Sequence, residues 1–271
     1  MRGRTQAAVV AMAGHWIPLL TPAAVALVTL RRGFSDGLWV LLWGLLPAVV
    51  LLAMQHPGAL LAISGAVSVW AGALLLRRAA SWRHTLMGLV ACNTLGSLVL
   101  ALVFPDLVAA LVTAVSEMFR TLQTSQSLGL PEPDTTLVLG LMAAMTSFSS
   151  MIGLILGRWW QSLLYNPGGF AGEFRALRLG PLEALVCVGA AAYCYWQPVS
   201  YSMWQVVFTL PLLFAGIALV HWLVAARKQS DWWLVIFYAA LVLVMPLMNL
   251  LVAFAFVDTW LNIRGRVAPK S

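Results

Sequence analysis

Apolar runs without a single formal charge recur along this chain, and three of them, Gly37 to Met54, Ala59 to Leu76 and His84 to Phe104, are each about as long as a bilayer's hydrocarbon core requires of a helix. With 62% hydrophobic and only 9% charged residues, 271 residues cannot hide that much apolar surface in a water-soluble core. The class expected is therefore all-α, a polytopic transmembrane helical bundle forming a single integral membrane domain over residues 1–271.

Eight membrane segments are expected, over about 6–30, 37–54, 59–76, 84–104, 135–160, 181–197, 202–226 and 231–260. Pro18 and Pro22 interrupt the first. They either kink one crossing helix or split it into two half-helices, because proline removes an N–H and clashes with the preceding turn. Ala7, Ala11 and Gly14 lie on one face of its first half at the small-residue spacing that lets another helix approach closely. Between the fourth and fifth segments, about 106–124 keeps Leu107, Leu111 and Val115 at helical spacing but carries Glu117 and Arg120, the pattern of an amphipathic interfacial helix. Asp134 is placed to cap the fifth segment.

The stretch 157–180, GRWWQSLLYNPGGFAGEFRALRLG, reads as an interfacial elbow. Arg158, Trp159 and Trp160 belong at headgroup depth, where indoles settle and guanidinium groups reach phosphates. Asn166, Pro167, Gly168 and Gly169 break the helix and permit a reversal, after which a short segment carries Glu173, Arg175 and Arg178.

Sixteen Lys and Arg against nine Asp and Glu sit mostly in connecting segments, so the excess signals topology and contact with membrane lipids. Nucleic acid is not an expected partner, since no soluble basic face exists to meet it. If every segment crosses, the elbow's face holds Arg31, Arg32, Arg77, Arg78, Arg83, Arg158, Arg175, Arg178, Arg227 and Lys228, which favours that face as cytoplasmic. The opposite face then takes Arg2, Arg4, Arg120, Arg264, Arg266 and Lys270. A re-entrant first segment would move Arg2 and Arg4 to the elbow's side. Cys92, Cys187 and Cys194 all lie within apolar spans and imply no disulfide. No cleavable signal is evident: His15, Trp16 and Pro18 stand where small residues are needed.

Candidates for chemistry are sparse. His15, His56, His84 and His221 are scattered singly without metal-ligand spacing, so no metal site or cofactor is implied. Ser64-Gly65 with His221 resembles a serine–histidine intramembrane protease poorly, because Ala62 stands where glycine belongs and no oxyanion donors accompany it. Glu183, just after Pro181, has a plain role complementing a helix dipole. Uncharged polar groups within spans are better candidates. Asn93, Thr94, Thr146, Ser150, Gln205 and Asn249 would line a small-ligand pocket if they converged, and otherwise pair as interhelical hydrogen bonds.

The small-residue opening helix with its WIPLLTP break and LRRG, the terminal AFVDTWLNIRGR, and above all the elbow sequence resemble the DUF2232 family of bacterial membrane proteins, which includes the YybS-like proteins. That family is grouped with the S components of energy-coupling-factor transporters. The resemblance implies a helical bundle in the bacterial cytoplasmic (inner) membrane, a vitamin-sized pocket at mid-depth, and a transmembrane partner protein docked at Ala7 and Ala11. Eight segments exceed the six usual in S components, and the amphipathic helix and elbow have no counterpart there. Three functions follow: a small-solute or lipid-like-ligand binding or transport protein; a membrane scaffold docking a partner through Arg158, Arg175 and Arg178; and, ranked last, a lipid-active enzyme using Glu183 or His221.

Overall fold

A computed structural model describes residues 4–14, 19–56, 58–126 and 132–267, and those residues form thirteen α-helices and a short 3-10 turn, with no strand among them. In chain order the helices are α1 (Arg4–Ala13), α2 (Leu20–Arg32), α3 (Phe34–Ala53), α4 (Gly58–Ala79), α5 (Trp82–Val103), α6 (Pro105–Gln126) and α7 (Thr135–Tyr165). Then follow α8 (Gly169–Ala176), α9 (Pro181–Trp196), the turn Val199–Tyr201, α10 (Ser202–Ala226), α11 (Trp232–Leu243), α12 (Pro246–Leu261) and α13 (Ile263–Val267). Five of the described helices, α3, α4, α5, α7 and α10 with its preceding turn, are long and apolar enough to cross a bilayer, so the chain is a multi-pass integral membrane protein. Many of the large apolar side chains on their outer surfaces are exposed, as a lipid solvent allows.

Two faces are defined by what meets there. On one, Leu30, Arg77, Trp82, Arg158 and Leu177 surround a single cavity, which gathers the ends of α2, α4 and α7 and the start of α5. On the other, Trp204 at the start of α10 donates its indole N–H to Thr136 O at the start of α7, 2.9 Å away. Helix α6 lies at this second face and packs Val108 and Leu111 onto the bundle. Asp134 caps α7 by accepting from Leu137 N at 2.8 Å.

The segment expected over 6–30 is two short helices folded side by side. Thr21 Oγ1 donates to Ala11 O at 2.7 Å, and a Cβ built on Gly14 would lie 3.0 Å from Thr21 N. A Cβ on Gly44 of α3 would meet both Thr21 Cγ2 at 3.1 Å and Ala11 Cβ at 3.2 Å. Ala7 then shares a buried cluster with Val25, Val28, Val40 and Leu41, so α1 runs back toward the face at which α2 ends. Ten and thirteen residues rise only about 15 and 20 Å, too little to cross. Neither helix is long enough to be a span by itself. Of the two prolines expected to break this segment, Pro22 sits in the first turn of α2, and Pro18 lies outside the described residues.

The segment expected over 231–260 is likewise bent, by 118°, at Val244 and Met245 before Pro246, which has no N–H to continue a helix. Its first half starts four residues beyond Lys228, and its second half ends against Arg178 of the elbow, so this pair also returns to the face it left. Arg264 donates to Arg175 O and to Leu177 O, which corrects the expected placement of Arg264 and Arg266 on the opposite side. They join the ten basic residues of the elbow's face, and the charge asymmetry between faces sharpens.

Close backbone approach holds the first pair to the bundle. A Cβ on Gly157 of α7 would sit 2.5 Å from Ala26 Cβ and 2.9 Å from Ala23 O, while one on Gly96 would meet nothing within 4 Å. Gly157→Ala is therefore expected to destabilise the protein by about 1–3 kcal/mol through overpacking. Gly96→Ala leaves stability unchanged or slightly raised, and thermal unfolding in detergent distinguishes the two. For topology, single cysteines at Thr5, Lys228 and Arg266 in a background lacking the three native ones are expected to react with an impermeant reagent from one side, and Gln55 and Glu132 from the other.

Candidate functional site

The elbow is built around one serine and one ion pair. Helix α7 runs 31 residues, about 46 Å, beyond what a bilayer core needs, so its last turns emerge at the interface. There Ser162 Oγ donates to Asn166 O at 2.7 Å and accepts from Phe170 N at 3.0 Å, clamping the reversal. Gly168 takes φ 84°, a left-handed conformation that glycine adopts without strain. Arg158 then grips Glu173 of α8 with both arms of its fork, Nε to Oε2 at 3.0 Å and Nη2 to Oε1, and reaches Gln161 Oε1 with Nη1. Phe170 stacks on Phe174 and meets Trp82, while Phe174 meets His221 edge-on. The bend is anchored by this aromatic set, and Asn166, Pro167 and Gly168 at its tip are exposed.

Beneath the elbow lies a cavity of about 580 Å³, walled by Arg77, Arg83, Arg158 and Arg178 with Ser81, Trp82, Gln161, Glu173 and the apolar Leu30, Leu76 and Leu177. Four guanidinium groups face one carboxylate, and that carboxylate is held by Arg158. Arg178 donates to Asp258 O at 2.6 Å and Thr259 O at 2.9 Å, and to Asn262 Oδ1 at 2.9 Å, tying the end of α12 to the cavity wall. Asp258, 1% exposed, receives Arg264 at 3.2 Å and Arg178 at 3.7 Å. Burial lowers the Arg264 guanidinium below its ordinary pKa and Asp258 opposes that shift, but an arginine stays charged in either case. Arg77 donates to Thr29 O and Leu30 O, at 3.4 and 3.0 Å, closing the C-terminal end of α2.

Of the elbow residues expected to matter, Arg158, Glu173 and Arg178 meet at this cavity. Trp159, Gly168 and Arg175 instead line a second one of about 370 Å³ with Phe174, His221 and Tyr238. Trp160, Asn166, Pro167 and Gly169 line neither. Arg77, Ser81, Trp82 and Arg83 carry no site signature in the sequence beyond the density of arginines between α4 and α5. Asp258 was missed as well. Its signal was a carboxylate near the end of an apolar helix in AFVDTWLNIRGR.

The mid-depth residues do not converge on a pocket. Asn93 accepts from Ser68 Oγ at 2.6 Å, donates to Leu89 O at 2.8 Å, and lies 3.5 Å from Ser150 Oγ, so Asn93 and Ser150 meet across α4, α5 and α7. Thr146 bonds back to Met142 O, Thr94 and Gln205 are half-buried, and Asn249 is exposed. None lines any of the cavities described. Asn93, Ser150 and Thr146 thus bond to each other, to Ser68 or to their own helix backbone, contacts typically worth under about 1 kcal/mol apiece, while the Thr94 hydroxyl is buried without a partner. Ala7 and Ala11, 2% and 0% exposed, are likewise covered by α2 and α3 rather than left open to a partner. Glu183 stands 3.8 Å from Arg83 and from His84 in the first turn of α9, and His221 bonds Tyr238 OH at 2.7 Å.

Asp258→Ala is expected to cost on the order of 3 kcal/mol, because it strands two partly buried guanidinium groups beside each other. Asp106→Ala, at an exposed helix start, should cost a few tenths by comparison, as chemical unfolding in detergent would measure.

Compared with protein-family models, curated proteins and solved structures, the chain matches none, which neither supports nor contradicts the DUF2232 resemblance.

Proposed function

We propose that this integral membrane protein binds an anionic, lipid-like ligand in the arginine-walled cavity beneath its elbow. The observation that carries this reading is the wall itself, in which four guanidinium groups line about 580 Å³ and two of them, Arg77 and Arg83, have no carboxylate closer than 3.8 Å among the described residues. That volume falls in the range of ligand sites. Leu30, Leu76 and Leu177 supply the apolar part of the wall, as an amphiphile at headgroup depth needs. Holding a ligand at one face is favoured over carrying it through the bilayer, because Ser68, Asn93 and Ser150 at mid-depth pair with one another across helices and line none of the cavities described. A scaffold anchored through Arg158 and Arg178 is disfavoured, since Glu173 and the carbonyls of α12 already occupy those side chains. For a lipid-active enzyme, Glu183 and His221 have no catalytic companion: their neighbours are Arg83, His84 and Tyr238.

Native mass spectrometry of protein incubated with equal phosphatidylglycerol and phosphatidylcholine is expected to show the anionic lipid retained. Retention falls about tenfold in Arg77→Gln/Arg83→Gln, equivalent to roughly 1.4 kcal/mol, and is unchanged in Arg227→Gln/Lys228→Gln on the same face. Equal retention of both lipids by the unaltered protein would overturn the reading.

A further inference from the structure

Rings from four helices converge on the second cavity, the space of about 370 Å³ beside the elbow. Helix α7 brings Trp159, α8 brings Phe170 and Phe174, α10 brings His221 and α11 brings Tyr238. The last four form a continuous wall: Phe170 stacks on Phe174 with centroids 5.6 Å apart, Phe174 meets His221 edge-on at 5.2 Å, and His221 meets Tyr238 at 5.8 Å. Ile155, Leu163 and Ala171 make up most of the remainder. Trp159, Leu163 and Tyr238 are exposed, so the space is open to the surface where α7 reaches headgroup depth. Its polar groups are few, as in ligand sites generally. Ser162 Oγ is occupied in both directions, by Asn166 O and Phe170 N. His221 Nε2 lies 2.7 Å from Tyr238 OH, and that bond uses one of the two protons the neutral pair carries. If the phenol donates, the imidazole keeps its Nδ1–H; if the imidazole donates, the phenol keeps its O–H. Either tautomer leaves one donor over, and neither side chain has a second hydrogen bond among the described residues.

From this convergence we infer that the second cavity binds the head of a lipid quinone, a planar ring carrying carbonyl oxygens on an apolar tail. The inference is independent of the anionic-ligand reading above, since it uses another cavity and an uncharged group. Flat ring walls favour a flat guest, because offset and edge-on contacts between rings add attraction beyond the area they cover. The donor left over by His221 and Tyr238 calls for an acceptor, and a ring carbonyl provides one in the plane of the ring. A plain hydrocarbon ring would leave that donor unsatisfied. Rings also attract cations, but a cationic guest is disfavoured because Arg175 lines the cavity and no carboxylate does. A phospholipid headgroup such as phosphatidylglycerol has no ring to stack. Fastening α11 to the bundle needs the His221–Tyr238 bond alone, and accounts for neither the open space beside it nor the rings that α7 and α8 place around it.

The test is equilibrium binding of radiolabelled duroquinone to the full chain in phosphatidylcholine nanodiscs, with empty nanodiscs giving the partition background. Durene, the same tetramethyl ring without the two carbonyl oxygens, is the competitor. Saturable binding is expected, with durene about tenfold weaker, the effect of one hydrogen bond. In His221→Phe/Tyr238→Phe the rings remain and the donor is gone, so the two compounds are expected to bind equally, an unchanged melting temperature certifying the fold. Should that variant not fold, Trp159→Leu, at an exposed position, is expected to weaken both compounds about equally while duroquinone keeps its advantage. Phosphatidylglycerol added to the nanodiscs is expected to leave duroquinone binding unchanged. Absence of saturable binding, equal affinity for durene, an advantage that survives the loss of both donors, or indifference of both compounds to Trp159→Leu overturns the inference. Displacement by phosphatidylglycerol overturns it too, by placing both guests in one cavity, and leaves the anionic-ligand reading standing.

Discussion

Every helix that ends leaves carbonyl groups without partners, and near a bilayer water cannot be relied on to satisfy them. This protein meets that demand on one face with arginine. Arg77 closes α2 through Thr29 and Leu30, Arg178 closes α12 through Asp258 and Thr259, and Arg264 reaches Arg175 and Leu177 after α8. Two of these helices, α2 and α12, are the second halves of broken segments. A long apolar stem with a five-donor head suits the task, since it can leave its own helix, cross to another and still keep its charge at headgroup depth.

The cavity is a consequence of that arrangement. Guanidinium groups recruited to fasten helix ends repel one another and cannot close over the space between them, so the middle of the face stays open and positive. Glu173 offsets one charge, Asp258 is shared by two others and Glu183 stands 3.8 Å from Arg83, which leaves Arg77 without a carboxylate among the described residues. The side chains that fasten helix ends on this face are thus also the ones that wall the cavity. The mid-depth interior shows the opposite economy: Ser68, Asn93 and Ser150 satisfy one another across three helices, and close approaches such as Gly153 to Pro22 and Gly216 to Leu251 leave little room.

Much of the architecture was legible in the residues. The apolar runs behind α3, α4, α5, α7 and α10 declare membrane helices through length and absence of charge, and the amphipathic period of α6 and the Asp134 cap are local features that need no partner to be read. Proline marked both broken segments, but a proline only says that the helix cannot continue as before. Whether the chain then goes on across the bilayer or turns back depends on which surfaces are available to pack against, such as Gly44 for α1 or Gly216 for α12. Asn93 and Ser150 were named from their polarity alone, and polarity cannot distinguish a group that faces a ligand from one that faces Ser68.

By itself, then, the sequence determined that this is a helical membrane protein with its basic and aromatic residues concentrated at helix ends, because hydrophobic length and interfacial preference are properties of single segments. Tertiary structure alone decided that the last segment bends by 118° and that α1 folds beside α2, that Ala7 and Ala11 are buried by their own chain, and that the arginines of four separate segments surround one space. These outcomes depend on contacts between residues far apart in sequence, such as Arg178 with Asp258 or Arg77 with Leu30, and no local pattern encodes which distant carbonyl a guanidinium group will reach.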